Sequence, residues 1–346
     1  MSAPLVQSPP LTTTITLSQA STQTPQKLHK RARSIENRKN SFYAQDRPVF
    51  LDKRLFSTNV QLPKLSSTYT LHKHGRPEKV QTGQSFSSTE VDPLLHNLIY
   101  KCGRHNCGTS QTIGKRTTME DMLIVVGGLF PSIDYYAVFD GHNGDQASAI
   151  AACNLQRKLC ADLVKGEGCA EHLKRAFSEL HEEVCQQTES GTTASVVIVR
   201  ESDVVFSLIG DSPVYILSEH KIKRIGKDHK PEDIEENLKI MRNGGKVTNC
   251  GGVLRVNEKI AITRSIGDKA LHPPLSCEPD YFSVPIQNIQ KILIASDGIA
   301  VLSECALEQI MNDTLQPEEI SRVIRNIAYE KDSGDNISVI VIDLTS

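Results

Sequence analysis

The chain predicts an α+β fold in which stacked β-sheets are covered by helices, and three observations carry that prediction. From about residue 95 onward, segments with a helical apolar period alternate with short apolar runs. The runs 194–199, 204–209 and 214–217 follow one another too closely for helices between them, which indicates antiparallel hairpins. Four apolar runs border an aspartate beside a glycine: 135–139 meets Asp140-Gly141, 206–209 meets Gly210-Asp211, 291–296 meets Asp297-Gly298, and Gly334-Asp335 comes just before 337–342. Sheets and helices of this kind bury their apolar faces by packing in layers.

The elements follow in order. Residues 144–164, rich in Ala, Leu and Ile, predict a helix. Ala170, Leu173, Phe177, Leu180 and Val184 place one apolar stripe on a second helix. After the three hairpin strands, Pro231 opens a helix that runs to Asn243 and stops at Gly244-Gly245. Proline suits the first helical turn, and glycine suits the position past the last. Residues 259–263 read as a strand, as does the run into Asp297. Two helices over 303–311 and 317–329 and a strand over 337–344 complete the chain.

Of the 346 residues, 38% are hydrophobic, enough for a soluble globular core. The net charge of -2 conceals an asymmetry: residues 1–90 carry 13 Lys+Arg against 5 Asp+Glu, and the remainder carries 26 against 36. An acidic body argues against nucleic acid as the main substrate, because phosphate-backbone binding needs a basic surface. No run reaches the ~18–20 apolar residues of a membrane span, and the N-terminus lacks the apolar stretch of a secretory signal. The nine scattered cysteines are expected to be reduced thiols of an intracellular protein. Cys102 and Cys107 form half a zinc-site spacing with no second pair, so they too read as plain thiols.

Residues 1–90 hold 30 Ser, Thr or Pro, a composition that builds no core. We therefore expect 1–94 to be a largely disordered basic extension and 95–346 to be the catalytic domain. Lys27 to Lys39 holds six basic residues, which suits a nuclear signal, a basophilic kinase site or a solvated run. Residues 1–35 contain no acid and many hydroxyls, as organelle transit peptides do, although a disordered tail has the same composition. The expected compartment is the cytoplasm, with the nucleus or an organelle as alternatives. Residues 42–56 carry aromatics among charges, a pattern that suits docking on a partner or on the body.

The acids carry the chemistry. A carboxylate at the end of a buried strand is costly to desolvate unless something pairs it. A single Asp-Gly is a common turn dipeptide. Four at strand ends, far apart in sequence, suggest one acidic rim, and its natural partner is a divalent cation. Asp140, Asp297 and Asp335 lack a matching His or Cys cluster, and oxygen-only ligation selects Mg²⁺ or Mn²⁺ over Zn²⁺. The Gly141 carbonyl can approach an ion closely, and Glu120 and Asp121 add two acids suited to ion-bound water. Two such ions activate a shared water and clamp a displacement at phosphorus. Arg116 offers a fork that matches phosphate oxygens, and His142 can protonate a departing alkoxide.

In chain order the motifs are Gly114-x-Arg116-x-x-Met119-Glu120-Asp121, Phe139-Asp140-Gly141-His142-x-Gly144, Ser190-Gly191-Thr192-Thr193-Ala194, Gly210-Asp211-Ser212 and Asp228-His229-Lys230-Pro231. Thr263-Arg264-Ser265-Ile266-Gly267-Asp268, Ala295-Ser296-Asp297-Gly298-Ile299 and Asp335-Asn336-Ile337-Ser338-Val339 follow. Together they resemble the metal-dependent type 2C family of protein serine/threonine phosphatases, over roughly residues 110–346. The resemblance implies a four-layer α-β-β-α sandwich with two central antiparallel β-sheets and two Mg²⁺ or Mn²⁺ ions at one end. It implies that Asp140 bridges the ions, that the Gly141 carbonyl binds one, that Asp297 and Asp335 hold the other, and that Glu120 and Asp121 act through water. Arg116 then takes the substrate phosphate and His142 is the acid. Phosphoserine and phosphothreonine proteins are the implied substrates, with no phosphoenzyme and a monomer sufficient for activity.

The chain departs from the family pattern in places. Pro213 stands where an arginine usually follows Gly-Asp-Ser, and Val301 stands where an acid usually helps hold a weaker third ion. Asp211 and Asp297 are the acids left to such a third site. The stretch from Asp268 to Glu278 is short, which trims the substrate-facing flap, and Leu238-Lys239 replaces a usual Glu-Arg pair. Two rival readings follow: a catalytically weak relative serving as a regulatory binding module, and a two-metal phosphodiesterase or nuclease, against which the acidic body weighs.

Overall fold

The computed structural model describes residues 104–130, 132–163 and 170–345. The expected boundary at residue 94, the basic run and the acid-free N-terminal stretch lie outside those residues. In chain order the elements are β1 (Asn106–Thr112), β2 (Met122–Phe130), β3 (Ile133–Phe139), β4 (Gly141–His142), α1 (Gln146–Leu163), α2 (Ala170–Gln187), β5 (Gly191–Thr192), β6 (Ala194–Val199) and β7 (Asp203–Ile209). Then come β8 (Val214–Ser218), β9 (Lys221–Ile225), α3 (Ile234–Arg242), β10 (Val247–Cys250), β11 (Val253–Val256), β12 (Ile266–Gly267), β13 (Asp280–Pro285), β14 (Lys291–Ala295), α4 (Glu304–Met311), α5 (Pro317–Glu330) and β15 (Ile337–Asp343).

Two five-stranded antiparallel sheets form the centre, one in the order β1-β15-β14-β8-β9 and the other β13-β7-β6-β3-β2. Their strands are apolar on both faces, and successive side chains feed different layers. In β3, Tyr136 and Val138 point into the layer between the sheets with Val197, Phe206, Ile292, Ile294 and Ile340. Tyr135, Ala137 and Phe139 point the other way, onto Leu155 of α1 and Phe177 and Leu180 of α2. In β14, Leu293 faces Leu307 of α4 and Ile320 and Ile324 of α5. The result is the expected α-β-β-α sandwich. Each large side chain buried this way contributes about 1.5–3 kcal/mol.

Two expected elements differ. The helix beginning at Pro231 starts at Ile234, because the Asp233 side chain accepts the N–H groups of Glu235 and Glu236, both at 3.0 Å, and caps the helix there. Residues 259–263 form no ladder; Ile260 touches Val256 through one isolated bridge. The real hairpin there is β10–β11, and its alternation was too weak to read. Ile260 packs instead on a small core of Ile240, Val256, Leu271 and Leu275. The short Asp268–Glu278 connection folds onto that core through Leu271 and Leu275.

This outlying piece is fastened by a buried ion pair. Arg264 Nε and Nη2 bond Glu236 Oε2 and Oε1 at 2.8 and 2.5 Å, while Nη1 bonds Asp280 at 2.7 Å. Burial opposes ionisation of Glu236, but the Arg264 and Lys239 bonds outweigh it and hold its pKa at about 2. Removing one partner of such a pair costs about 3–5 kcal/mol. Glu236→Gln is therefore expected to lower the urea midpoint by an equivalent of about 3 kcal/mol at pH 7. Because the folded pKa is depressed, the wild-type advantage is present above the ordinary value of 4.5 and fades as pH falls toward 2. Denaturation curves of both proteins across that range check it.

Candidate metal centre

The interior strands β3 and β14 belong to different sheets and end at the same edge of the sandwich. Asp140 follows β3, Asp297 follows Ser296 after β14, Asp335 precedes β15 and Asp211 follows β7. Folding thus gathers acids from four separate strand ends. They line a cleft of about 300 Å³ together with Arg116, Glu120, Gly141 and His142. Asp121 is the exception among the expected site residues. It is buried beneath the cleft at 2% exposure and accepts a bond from Ser338 Oγ at 2.7 Å.

Neutral groups fix the acids in place. The Asp140 carbonyl accepts the Thr193 N–H at 2.9 Å, and Thr193 Oγ1 accepts the Asp140 N–H at 3.1 Å. One Asp140 carboxylate oxygen lies 3.4 Å from the Asp297 N–H. The Asn336 side chain donates to the carbonyls of Ile113 and Thr118 and accepts the Glu120 N–H, tying the loop that bears Arg116 to the start of β15. Gly141 is pressed against the Glu120 carbonyl and Ser148 Oγ, where a Cβ would collide. Only glycine fits there without displacing the Glu120 backbone.

The charges repel. Burial raises the pKa of Asp121 to about 6, opposed by Ser338 and Ser296. Burial raises Asp297 to about 7, with Asp211 and Asp335 adding to the shift and Lys230 opposing it. Burial pushes Asp140 well above the carboxylate range, and Asp121, Asp297, Asp211 and Asp335 push it further. Among the described residues no three His, Cys, Asp or Glu side chains converge on one point as a closed metal cage. The donor set, all oxygen and mutually repelling, fits the expected ions.

Arg116 and His142 have partners that the sequence did not disclose. Arg116 Nη2 bonds Asp335 at 2.7 Å and Nε bonds the Gly334 carbonyl at 3.0 Å, although the side chain is 55% exposed. His142 Nε2 lies 2.7 Å from a carboxylate oxygen of Asp268, which is 3% exposed. The small sheet β12-β5-β4 brings them together, and a Cβ on Gly191 at its centre would collide with both. Lys230 is, after Asp268, a second unread residue: its Nζ sits 2.9 Å from Asp211. Asp268 and Lys230 both stood within motifs, but nothing in their spacing said which acid or imidazole they would meet.

A fold of two antiparallel sheets between helix pairs, with an acid-lined cleft, a phosphate-matching arginine and a histidine at one edge, defines a metal-dependent phosphoester hydrolase. The protein phosphatase 2C family model matches residues 106–337, and the chain belongs to that family. It is 28% identical over 299 residues to a mitochondrial protein phosphatase 1K of Xenopus laevis, covering 80% of each chain. It is 30% identical over 256 residues to a probable mitochondrial protein phosphatase 2C of Oryza sativa subsp. japonica, covering 69% of this chain and 68% of that one. Its fold is similar to that of a sex-determining protein of C. elegans, with a TM-score of 0.64 and 28% identity over 70% of this chain and 65% of that one. A serine-threonine phosphatase 2C from Toxoplasma gondii shares the fold at a TM-score of 0.62 and 19% identity. The enzyme class is that of a metal-dependent protein serine/threonine phosphatase. No helix among the described residues is long and apolar enough to cross a membrane.

The raised acids give a signed prediction. Asp121 and Asp297 bind protons more tightly folded than unfolded, so without metal, stability falls as pH rises from the ordinary value of 3.8 toward 7. Melting temperature in EDTA is expected to drop over that interval. Saturating Mn²⁺ is expected to raise it, most strongly near pH 7, where the carboxylates are charged. Differential scanning fluorimetry across pH checks both.

Proposed function

We propose that the chain hydrolyses phosphoserine and phosphothreonine esters of proteins with two divalent cations held on the acid rim. The observation that supports this most is the convergence of Asp140 and Asp297, from different sheets, in one cleft where Asp297 adds to the cost of ionising Asp140. Asp140, the Gly141 carbonyl, Asp297 and Asp335 would hold the ions directly, and Glu120 would hold them through water. Asp121, beneath the lining, would steady Asp140. When bound, the two ions polarise the phosphoryl oxygens and lower the pKa of the water between them.

The remaining work falls to the chain. Arg116 turns its guanidinium from Asp335 to the phosphate and aligns the phosphorus for attack by water from the face opposite the seryl or threonyl oxygen. The new bond joins the water oxygen to phosphorus, the bond to the seryl or threonyl oxygen breaks, and the proton the water loses passes to solvent. His142 protonates that oxygen as it leaves. With Nε2–H given to Asp268, the proton departs from Nδ1. The single chain carries the whole residue set, which supports action as a monomer.

Turnover of a phosphothreonine peptide with Mn²⁺, with EDTA and in Asp140→Ala tests the reading. Loss of an outer partner of a metal costs roughly 10–100-fold, so Asp140→Ala should lower kcat/KM by more than about 100-fold, with EDTA abolishing the rest. Metal uptake without turnover would favour the regulatory module, and cleavage of diesters alone would favour the nuclease.

We also infer that residues 1–94 form a regulatory or targeting arm, which their basic charge against an acidic body supports. The mitochondrial names of two relatives and the acid-free first 35 residues favour an organelle address. Deleting residues 1–90 is expected to leave peptide hydrolysis within about twofold of the full chain, a small surface-level change. Steady-state kinetics of the truncated protein checks this, and insolubility or collapse of activity would place the arm within the fold.

A further inference from the structure

The helix α3 has two anchoring faces, and the described residues cover only one of them. Its inner face carries Ile240, which packs on the small core with Val256, Leu271 and Leu275, and Glu236, which is fastened by Arg264. Its outer face carries Ile234, Leu238 and Met241, at 76%, 45% and 59% exposure. Their spacing of four and then three residues sets them in one stripe along the helix. Single exposed apolar residues are ordinary on a protein surface, but a contiguous stripe marks a contact. Five large apolar side chains are exposed among the described residues, and these three stand together on one short helix. Leu238 stands where the family usually carries an acid, so the stripe belongs to this chain and not to the shared catalytic pattern.

The charges beside the stripe name its occupant. Glu235 and Arg242 are both exposed and lie seven residues apart, two turns of helix, on the same flank of the stripe. Glu235, at the N-terminal end, meets Lys227 at 2.9 Å, an exposed pair that holds it weakly. Arg242, at the C-terminal end, makes no ion pair among the described residues. We propose that α3 is a self-complementary docking face whose partner is α3 of a second copy of this chain, packed antiparallel across a twofold axis at Leu238. In that arrangement Leu238 meets its own counterpart, Ile234 of one copy meets Met241 of the other, and Glu235 of one copy meets Arg242 of the other. A parallel pairing would instead set Glu235 against Glu235 and Arg242 against Arg242. Antiparallel helices also bring the positive end of each backbone dipole beside the negative end of the other. The same patch serves both copies, so the contact closes as a pair and does not propagate. Three apolar side chains from each copy make a small contact, below about 1,200 Å² in total, so the pair is reversible and depends on concentration. Each copy keeps its own complete cleft, so pairing adds to the action of the single chain and does not replace it. The inference is independent of the two-ion reading above.

Sedimentation equilibrium of the full-length chain across roughly 1 μM to 1 mM reads the pairing. Wild type is expected to pass from one chain to two within that span. Leu238→Glu sets two like charges at the twofold axis and should raise the dissociation constant more than about tenfold. Glu235→Arg alone, or Arg242→Glu alone, puts like charges in register and should raise it about three- to tenfold. Glu235→Arg together with Arg242→Glu exchanges the signs and should return it to within about twofold of wild type. Near-UV circular dichroism confirms that each variant is folded. A single chain at every concentration overturns the proposal and leaves the stripe to a partner of another kind. A pair that persists unweakened in Leu238→Glu overturns the face. A double exchange that stays as weak as the single ones overturns the antiparallel register.

Discussion

Carboxylates brought together out of water repel one another, and a chain gathers them only if the rest of its fold can hold them against that force. Here the repulsion falls on Asp140 and Asp297, which follow interior strands of two different sheets. The layer between the sheets, with Tyr136, Val138, Phe206, Ile292, Ile294 and Ile340, is what sets their separation. Close-packed interiors yield little to local stress. The apolar middle of the sandwich thus acts as the rigid spacer on which the polar edge is mounted.

The chain treats its acids in two ways. Glu236 is matched by Arg264 and Lys239 on the spot, and its charge fastens one part of the fold to another. Asp140 and Glu120 are instead positioned through their backbones by Thr193, Asn336 and Ser148, neutral groups that fix geometry and leave the carboxylate charge available. The matched acid Glu236 fastens the fold, whereas Asp140 and Glu120, placed by neutral groups, line the cleft. Asp211, held by Lys230, belongs with the first kind although it lies in the cleft.

Much of this was legible in the sequence, because it depended on local pattern. Strands buried on both faces read as unbroken apolar runs, so β3, β6, β7, β14 and β15 were identifiable, as were the aspartates that border all of these but β6. The stripe of α2 was equally plain. What failed was either short or distant. Residues 259–263 look like a strand because Ile260 and Ile262 alternate with other residues, but these side chains serve a minor core and a cleft wall. Pro231 outweighed Asp233 as a helix-start signal, although the aspartate makes the cap. The pairing of His142 with Asp268 spans 126 residues. No periodicity reports that kind of meeting; only the small sheet through Gly191 creates it.

The grip of Arg116 on Asp335 has a consequence for the order in which ligands arrive. While Asp335 has no other cation, the guanidinium is its counter-charge, and a phosphoester must compete with a neighbouring side chain for the same fork. A metal ion on Asp335 would release the arginine toward solvent, where more than half of its side chain already lies. On the two-ion reading the same contact would act as a latch, keeping the anion receptor closed until cations are seated.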